Sequence, residues 1–295
     1  PGYTLRMFSD SAARVLKEFV FTRPVTLSGG GMFPMGDDMK LMKGRIRFDA
    51  SAGRVRYPLL GTTLDLGRTK GEVLISPQWV VVDKMMGTIW DGTFTGRILA
   101  QIDDGDALNG SFVLQDMNLT SIGKSYDKKM EKATVHGAIE FSSKGGNMNS
   151  IQAKGEAALV HGDLVEIPLF GFLGEALSNY IPGLGHLINY KISRADCDFS
   201  IEKGYVRTSN FAAQGSNMSL EGGGWIRLSD LQVNSDFKLG LRGLPGFITS
   251  PVFLLAGGLF QVRGTGPLSN VSWNFAPFSG GKAPVPPASV STRKR

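Results

Sequence analysis

The residues that could carry chemistry are few and widely spaced. The chain has a single cysteine, Cys197, which lies between Asp196 and Asp198 in a strand-like run. Two neighbouring carboxylates raise rather than lower the pKa of a thiol, so Cys197 is not expected to act as a nucleophile. The three histidines form no HExxH motif or similar metal-binding pair.

Three short motifs resemble ligand-binding loops but are incomplete. Ile122–Ser125 reads like the end of a phosphate-binding loop, yet Asn118 occupies the position of that motif's first glycine. The glycine clusters at Gly222 and Gly264 do not complete a dinucleotide-binding fingerprint and are interpreted as turns, bulges or points of close approach. Asp103–Gly110 lacks the distant glutamate of a calcium loop and is predicted to be a solvated hairpin loop. We therefore predict no catalytic residue, no metal site and no cofactor.

Composition favours a β-rich protein with a real hydrophobic core. Of 295 residues, 42% are hydrophobic and 20% charged, and 39 are glycine, a mixture typical of turn-rich β architecture. The formal net charge is +6, but Lys282 and the three basic residues 293–295 lie in a Pro/Ser-rich tail, which leaves 6 − 4 = +2 for residues 1–281. Nucleic acid is not predicted as a partner, because binding it requires a basic stripe on the folded body.

Most of the chain reads as short strands separated by tight turns. In several runs every second residue is apolar, as at Phe237, Leu239 and Leu241. The short turns between them favour antiparallel hairpins. The resulting sheet would have one apolar face and one polar, solvent-exposed face. Phe48–Arg56 and Phe199–Arg207 share a Phe-x4-Gly-x-Val-Arg pattern, and each is predicted to be a strand, a tight turn and a returning strand.

Two uncharged or nearly uncharged runs, Ile167–Ile188 and Gly243–Val262, stand out from this pattern. Both are interrupted by proline and glycine and are not predicted to span a membrane. Within the first run an amphipathic helix is predicted, which either caps an open end of the sheet or contacts lipid. Its apolar side is formed by Phe172, Leu173, Ala176, Leu177 and Tyr180. Further helices are predicted at 9–18 and near 247–257.

The order of motifs after residue 154 resembles the C-terminal region of the AsmA-like proteins, relatives of TamB. The segments that carry the resemblance are GEAALVHGDLVEIPLFGFLGEAL, then DFSIEKGYVRTSNF and SLEGGGWIRLSDLQVNSDFKLGL, and finally the closing turn VRGTGPLSN before a last strand. The resemblance covers about residues 154–277. Over residues 25–153 only the general pattern of strands and turns agrees. Val271 follows Asn270 where family members often have proline.

The resemblance implies a mainly β fold with a long, curved, open antiparallel sheet, groove-forming like a taco shell, and a few short helices. The domain prediction has an N-terminal helical segment at 1–24, a β-rich groove region at 25–153, the AsmA-like region with its inserted helix at 154–277, and a disordered tail at 278–295. It also implies a periplasmic protein, held in the inner membrane by a segment outside this sequence.

The implied function is non-enzymatic: the groove would bind phospholipid, or another acyl-chain lipid, and conduct it between the inner and outer membranes. The alternative is an assembly scaffold that adds a strand to outer-membrane proteins. The predicted groove-lining residues are the alternating apolar ones, although a one-residue register error would invert the side on which they lie. They are Phe94, Ile98, Phe112, Leu114, Ile139, Phe141, Leu159, Phe199, Ile201, Phe237 and Leu239.

Overall fold

The structure is a computed structural model that describes residues 20–32, 43–51, 54–59, 62–101, 107–125, 132–144, 150–160, 192–216, 218–241, 259–268 and 271–277. The chain divides into two compact units, Pro1–Lys129 and Met130–Arg295. The amphipathic helix predicted within Ile167–Ile188, the helices predicted at 9–18 and near 247–257, and the tail at 278–295 lie outside the described residues, so these predictions stay open.

Unit 1 contains eight antiparallel strands and one short helix in its described part. The elements are β1 (Val20–Phe21), β2 (Thr26–Met32), β3 (Lys43–Asp49), β4 (Arg54–Leu59), β5 (Thr62–Ile75), β6 (Trp79–Ile89), β7 (Gly92–Gln101), β8 (Leu108–Asn118) and α1 (Leu119–Ser125). The strand order is β1-β4-β5-β6-β7-β8, and the β2–β3 hairpin joins the other half of β5.

Unit 2 is an antiparallel meander in which each strand pairs with the next one along the chain. Its strands are β9 (Thr134–Ser143), β10 (Gln152–Val160), β11 (Ile192–Glu202), β12 (Tyr205–Gly215), β13 (Met218–Arg227), β14 (Gln232–Leu241), β15 (Leu259–Pro267) and β16 (Ser272–Pro277). Within the described residues no ladder joins the first strand of either unit to its last. The predicted fold class, mainly β with open antiparallel sheet and few helices, is confirmed.

The two copies of the internal repeat form different structures. The second copy is the predicted hairpin: Glu202 pairs with Tyr205 across Lys203 and Gly204, whose φ values of 53° and 77° fit a two-residue type I′ turn. For the first copy the prediction of a returning strand is wrong. β3 and β4 do not pair with each other in the described residues, because the 14-residue β5 is long enough to pair with both, β3 over Lys70–Ile75 and β4 over Thr62–Gly67.

Bulges keep the apolar residues on one side of the sheet where the sequence departs from strict alternation. The register shifts near Arg68 and Lys84, both of which have left-handed φ values of 44° and 51°. The bulge at Lys84 takes up one residue, so that Val82 and Met85 point to the same side. A simple every-second-residue count would instead have moved the following residues to the other side.

Candidate functional site

The strand register places the apolar residues of unit 1 on one side. Residues directly opposite each other in an antiparallel ladder share a side, and Phe94 faces Leu114, Gly96 faces Phe112, and Val82 faces Ile98. Extending this rule across β3–β8 defines the apolar face of unit 1. Its larger members are Ile46, Phe48, Leu64, Leu66, Val73, Ile75, Val80, Val82, Met85, Ile89, Phe94, Ile98, Leu108, Phe112 and Leu114.

The same rule defines an apolar face of unit 2. Gly155 faces both Ile139 and Phe199, Ile201 faces Val206, and Phe237 faces both Gly222 and Val262. Its larger members are Val135, Ile139, Phe141, Leu159, Ile192, Cys197, Phe199, Ile201, Val206, Phe211, Met218, Leu220, Ile226, Val233, Phe237, Leu239, Phe260, Val262 and Trp273.

Neither apolar face carries a charged side chain among the strand residues that the register assigns to it. The charged residues that the register places lie on the opposite side, as the pairs Arg47–Glu72 and Asp236–Arg263 illustrate. Hydrocarbon can contact a face without charge at no cost for desolvating an ion. Such a face is therefore energetically suited to binding an acyl chain.

All eleven predicted groove residues lie on these two faces, four in unit 1 and seven in unit 2. Phe94, Phe237 and Leu239 are buried, with 4%, 6% and 1% of their surface exposed. The other eight are only half-buried. The placement agrees with the alternation in the sequence, whereas lipid contact by these residues stays a prediction. The five residues predicted on the amphipathic helix, from Phe172 to Tyr180, lie outside the described residues.

The apolar face of unit 2 has two regions that differ in exposure. In the buried region, β13–β15, the side chains of Leu220, Leu239 and Val262 are at most 1% exposed. In the half-exposed region, β9–β12, Ile192 at the start of β11 is fully buried, but most of the larger residues, such as Ile139 and Phe199, keep part of their surface accessible. Accessible apolar surface of this kind is where a hydrophobic ligand can bind without displacing protein atoms.

Aromatic rings lie across glycines on both apolar faces. A Cβ atom added to Gly96 would come within 2.4 Å of the Phe112 ring, and one added to Gly155 within 2.5 Å of the Phe199 ring. Each glycine is directly opposite its ring in the ladder, so the close approach is a cross-strand contact. The same arrangement joins Phe48 to Gly71, Phe94 to Gly87, Phe237 to Gly222 and Trp273 to Gly264. For Gly222 and Gly264 the sequence interpretation as points of close approach is confirmed.

On the polar side of unit 2 the β11–β12 ladder opens locally. The register shifts between Asp196 and Ser200, and Asn210 fills the gap: its Oδ1 accepts from the Asp198 backbone N–H at 2.9 Å and its Nδ2 donates to Asp198 Oδ2 at 2.7 Å. A concavity of about 680 Å³ lies beside this ladder, and its lining includes Ile139 and Phe199 of the apolar face as well as Lys154 and Arg207 of the polar side. Sequence reasoning missed this opening, because a bulge between non-glycine residues leaves no clear signature.

Cys197 faces Ala157 on the apolar face, within the half-exposed region. Burial raises the pKa of its thiol above the ordinary value, and the carboxylates of Asp198 and Asp196 raise it further. The predicted direction is confirmed, but burial is the larger cause and the acidic neighbours are secondary. A thiol held protonated at neutral pH is a poor nucleophile.

The remaining sequence motifs fold into structural elements. Ile122–Ser125 belongs to α1, a helix that the sequence interpretation missed. Asn118 caps it, since its Oδ1 accepts from the Thr120 backbone N–H at 2.9 Å. Trp90 Nε1 donates to Ser125 Oγ at 2.9 Å and attaches the helix to the β6–β7 turn.

Other candidate ligand sites gain no support within the described part of the chain. It contains no group of three His, Cys, Asp or Glu side chains arranged to hold a metal ion. Residues 103–106 of the Asp103–Gly110 loop, His161 and His186 lie outside that part, and His136 is in β9 opposite Ala158. None of the helices described is long and apolar enough to cross a bilayer.

Comparisons with known proteins give no relative from which a function could be transferred. No family model, no curated protein and no solved structure matches the chain.

Proposed function

We propose that the two apolar faces bind the acyl chains of phospholipid, and that the protein conducts such lipids between the inner and outer membranes of a bacterial envelope. The observation that carries the proposal is the charge-free apolar face of each unit, on which eight of the eleven predicted residues keep exposed surface. The resemblance of residues 154–277 to AsmA-like proteins supports the same function and a periplasmic location.

The energetics favour acyl chains over polar ligands. Moving a methylene group from water to an apolar surface is favourable by about 0.8 kcal/mol, so a chain lying along several strands gains binding energy at every strand. The faces offer no charged or strongly directional partner that would hold one headgroup or one chain position. Binding that is spread over many weak contacts suits conduction, because a conduit must release its cargo as readily as it takes it up.

The proposal also explains why apolar residues remain half-buried. A monomeric protein rarely exposes a continuous apolar patch of more than a few hundred Å², and larger patches usually mark a binding surface. Ile98, Phe112 and Leu114 in unit 1, like Ile139 and Phe199 in unit 2, are neighbours across ladders rather than isolated surface residues. An acyl chain would cover this surface without a second protein layer.

The proposal is tested by mass spectrometry of lipids that co-purify with the protein prepared without detergent. Phospholipid should be recovered with the native chain, and Ile139→Asp should reduce its amount at least about tenfold, because a carboxylate on the apolar face must be desolvated by the bound chain. The matched control is Ser142→Asp, which adds the same charge to the polar side of the same strand. Native protein without lipid, or equal losses in both variants, would contradict acyl-chain binding.

The alternative, an assembly scaffold, rests on β16. In the described residues this six-residue strand pairs only with β15, so its other edge could accept a strand from an outer-membrane protein. This alternative predicts lipid-free protein whose partner binding is unaffected by Ile139→Asp. Lipid recovery that depends on Ile139 favours the conduit instead.

A further inference from the structure

The polar side of unit 1 concentrates positive charge on three neighbouring strands. We call this group the basic patch: Lys43, Arg45, Arg47, Arg54, Arg56 and Lys70. Asp49, Asp65 and Glu72 lie on the same side of these strands, so the net charge is 6 − 3 = +3. The patch is exposed, since the side chains of Arg45, Arg47 and Arg54 have 61%, 72% and 65% of their surface accessible.

Two cations of the basic patch take no part in the ion pairs within it. The single carboxylate of Glu72 is shared by Arg45 and Arg47, at 3.2 and 3.4 Å from their Nε atoms, and Asp65 pairs with Arg54 at 2.6 Å. Lys43 and Arg56 form no ion pair with any described carboxylate. Their charges are therefore available to an external anion.

Exposed apolar side chains accompany the cations on the same side. Met32 faces Lys43 and Val20 faces Arg56 in the ladders, and they are 63% and 56% exposed. Five of the nine exposed large hydrophobic side chains in the described part of the chain lie on this side. They are Val20, Met32, Trp79, Met86 and Val113.

We infer that this side of unit 1, the basic patch with its exposed apolar neighbours, docks on the surface of a membrane that contains anionic phospholipid. Lysine and arginine attract the phosphate-rich headgroup layer, and aliphatic and tryptophan side chains gain energy by entering the boundary between headgroups and acyl chains. Lys43 is directly opposite Met32 and Arg56 directly opposite Val20, so that at both positions a cation and an apolar side chain can contact the bilayer together.

Nucleic acid offers the same phosphate chemistry and is the natural competitor. Single strands bind to basic grooves lined with aromatic rings, on which bases stack. Among the five exposed apolar side chains on this side only Trp79 is aromatic, and the two that face Arg56 and Lys43, Val20 and Met32, are aliphatic. Aliphatic side chains gain nothing from phosphate but do gain from a lipid interface, which favours the membrane.

This inference does not rest on acyl-chain binding by the apolar face, which is the opposite side of the same strands. Docking of an intact bilayer and uptake of single lipids can therefore fail separately. Vesicle binding measures the first, and lipid recovered with the protein measures the second.

The test is co-sedimentation of the full chain with vesicles of phosphatidylcholine alone or mixed with phosphatidylglycerol. Binding should require the anionic lipid and weaken with salt. The double variant Lys43→Gln/Arg56→Gln should lower the affinity roughly 10- to 30-fold, which is the effect of removing two cations from a membrane contact. Both side chains lie outside the ion pairs of the patch, so circular dichroism should show an unchanged fold.

The matched control is Lys132→Gln/Lys154→Gln, which removes the same net charge from exposed positions in unit 2. It should bind the anionic vesicles like the native chain. Met32→Ser, which keeps every charge, should weaken vesicle binding severalfold and leave binding to duplex DNA unchanged. Equal losses in the two double variants, binding that ignores phosphatidylglycerol, or DNA binding as tight as vesicle binding and insensitive to Met32→Ser would each overturn the inference.

Discussion

The larger residues on the apolar face of unit 2 are mostly buried over β13–β15 and mostly half-exposed over β9–β12. Both regions have the same alternation, the same lack of charge and the same rings lying across glycines. They differ in what covers the face: Leu239 is 1% exposed, whereas Leu159 keeps an intermediate exposure. Alternation therefore determines which side of a strand is apolar, while burial depends on atoms from other parts of the chain that alternation does not encode.

The largest expected difference between the two regions concerns stability. Leu239→Ala should lower the free energy of unfolding by about 2–5 kcal/mol, because it leaves a cavity where the surrounding side chains are fully packed. Leu159→Ala, the same change in the half-exposed region, should cost about 1 kcal/mol, because solvent or a ligand can occupy the space. Urea unfolding followed by tryptophan fluorescence measures both, and equal losses would mean that the two regions form a single closed core.

Much of the strand architecture could be predicted because it depends on local rules. The side on which Phe112 and Phe199 lie follows from a period of two, and the β11–β12 turn follows from the lysine–glycine pair at 203–204. These features need only a few consecutive residues, and the sequence contains them all.

Other features could not be predicted because they depend on residues far apart in the chain. β3 and β4 share the partner β5, which no local pattern indicates. The bulges at Arg68 and Lys84 use left-handed backbone at residues that rarely adopt it, so composition gives no warning. The basic patch was missed because the +2 charge of residues 1–281 is an average, and an average conceals where cations gather.

The second difference concerns ion pairs on the polar side of the two regions. Asp236, behind the buried region, is 7% exposed and accepts hydrogen bonds from Arg263 at 2.9 Å and Gln261 at 2.7 Å. Arg263→Ala should lower the free energy of unfolding by about 1–3 kcal/mol, because it removes the counter-charge of a buried carboxylate.

The control for this ion pair is Arg194→Ala, behind the half-exposed region. Arg194 pairs with Asp196 at 3.4 Å, and both side chains are largely accessible, at 67% and 49%. Because solvent screens such pairs, the loss should be at most about 0.5 kcal/mol. Thermal unfolding at low and high salt separates the two, and a salt-sensitive loss as large as that of Arg263→Ala would show that burial does not distinguish these carboxylates.

The smallest expected effect is a change in the reactivity of Cys197, the native probe of the half-exposed region. Alkylation requires the thiolate, and burial together with Asp198 and Asp196 raises the pKa of this thiol. At pH 8 iodoacetamide should therefore react more slowly with the folded protein than with the urea-unfolded chain, in which the thiol has its ordinary pKa. The alkylation rate of the folded protein should keep rising at pH values above the ordinary pKa of a thiol, because the Cys197 thiol retains its proton to higher pH.

Lipid makes this measurement a test of the comparison. An acyl chain on the half-exposed region should cover Cys197 and slow its alkylation further. In the double variant Cys197→Ser/Leu239→Cys the only thiol lies in the buried region, where it should react more slowly still and respond little to added phospholipid. If lipid slows both thiols equally, it acts through the stability of the whole unit; if it slows Cys197 alone, the half-exposed region is where the chain binds.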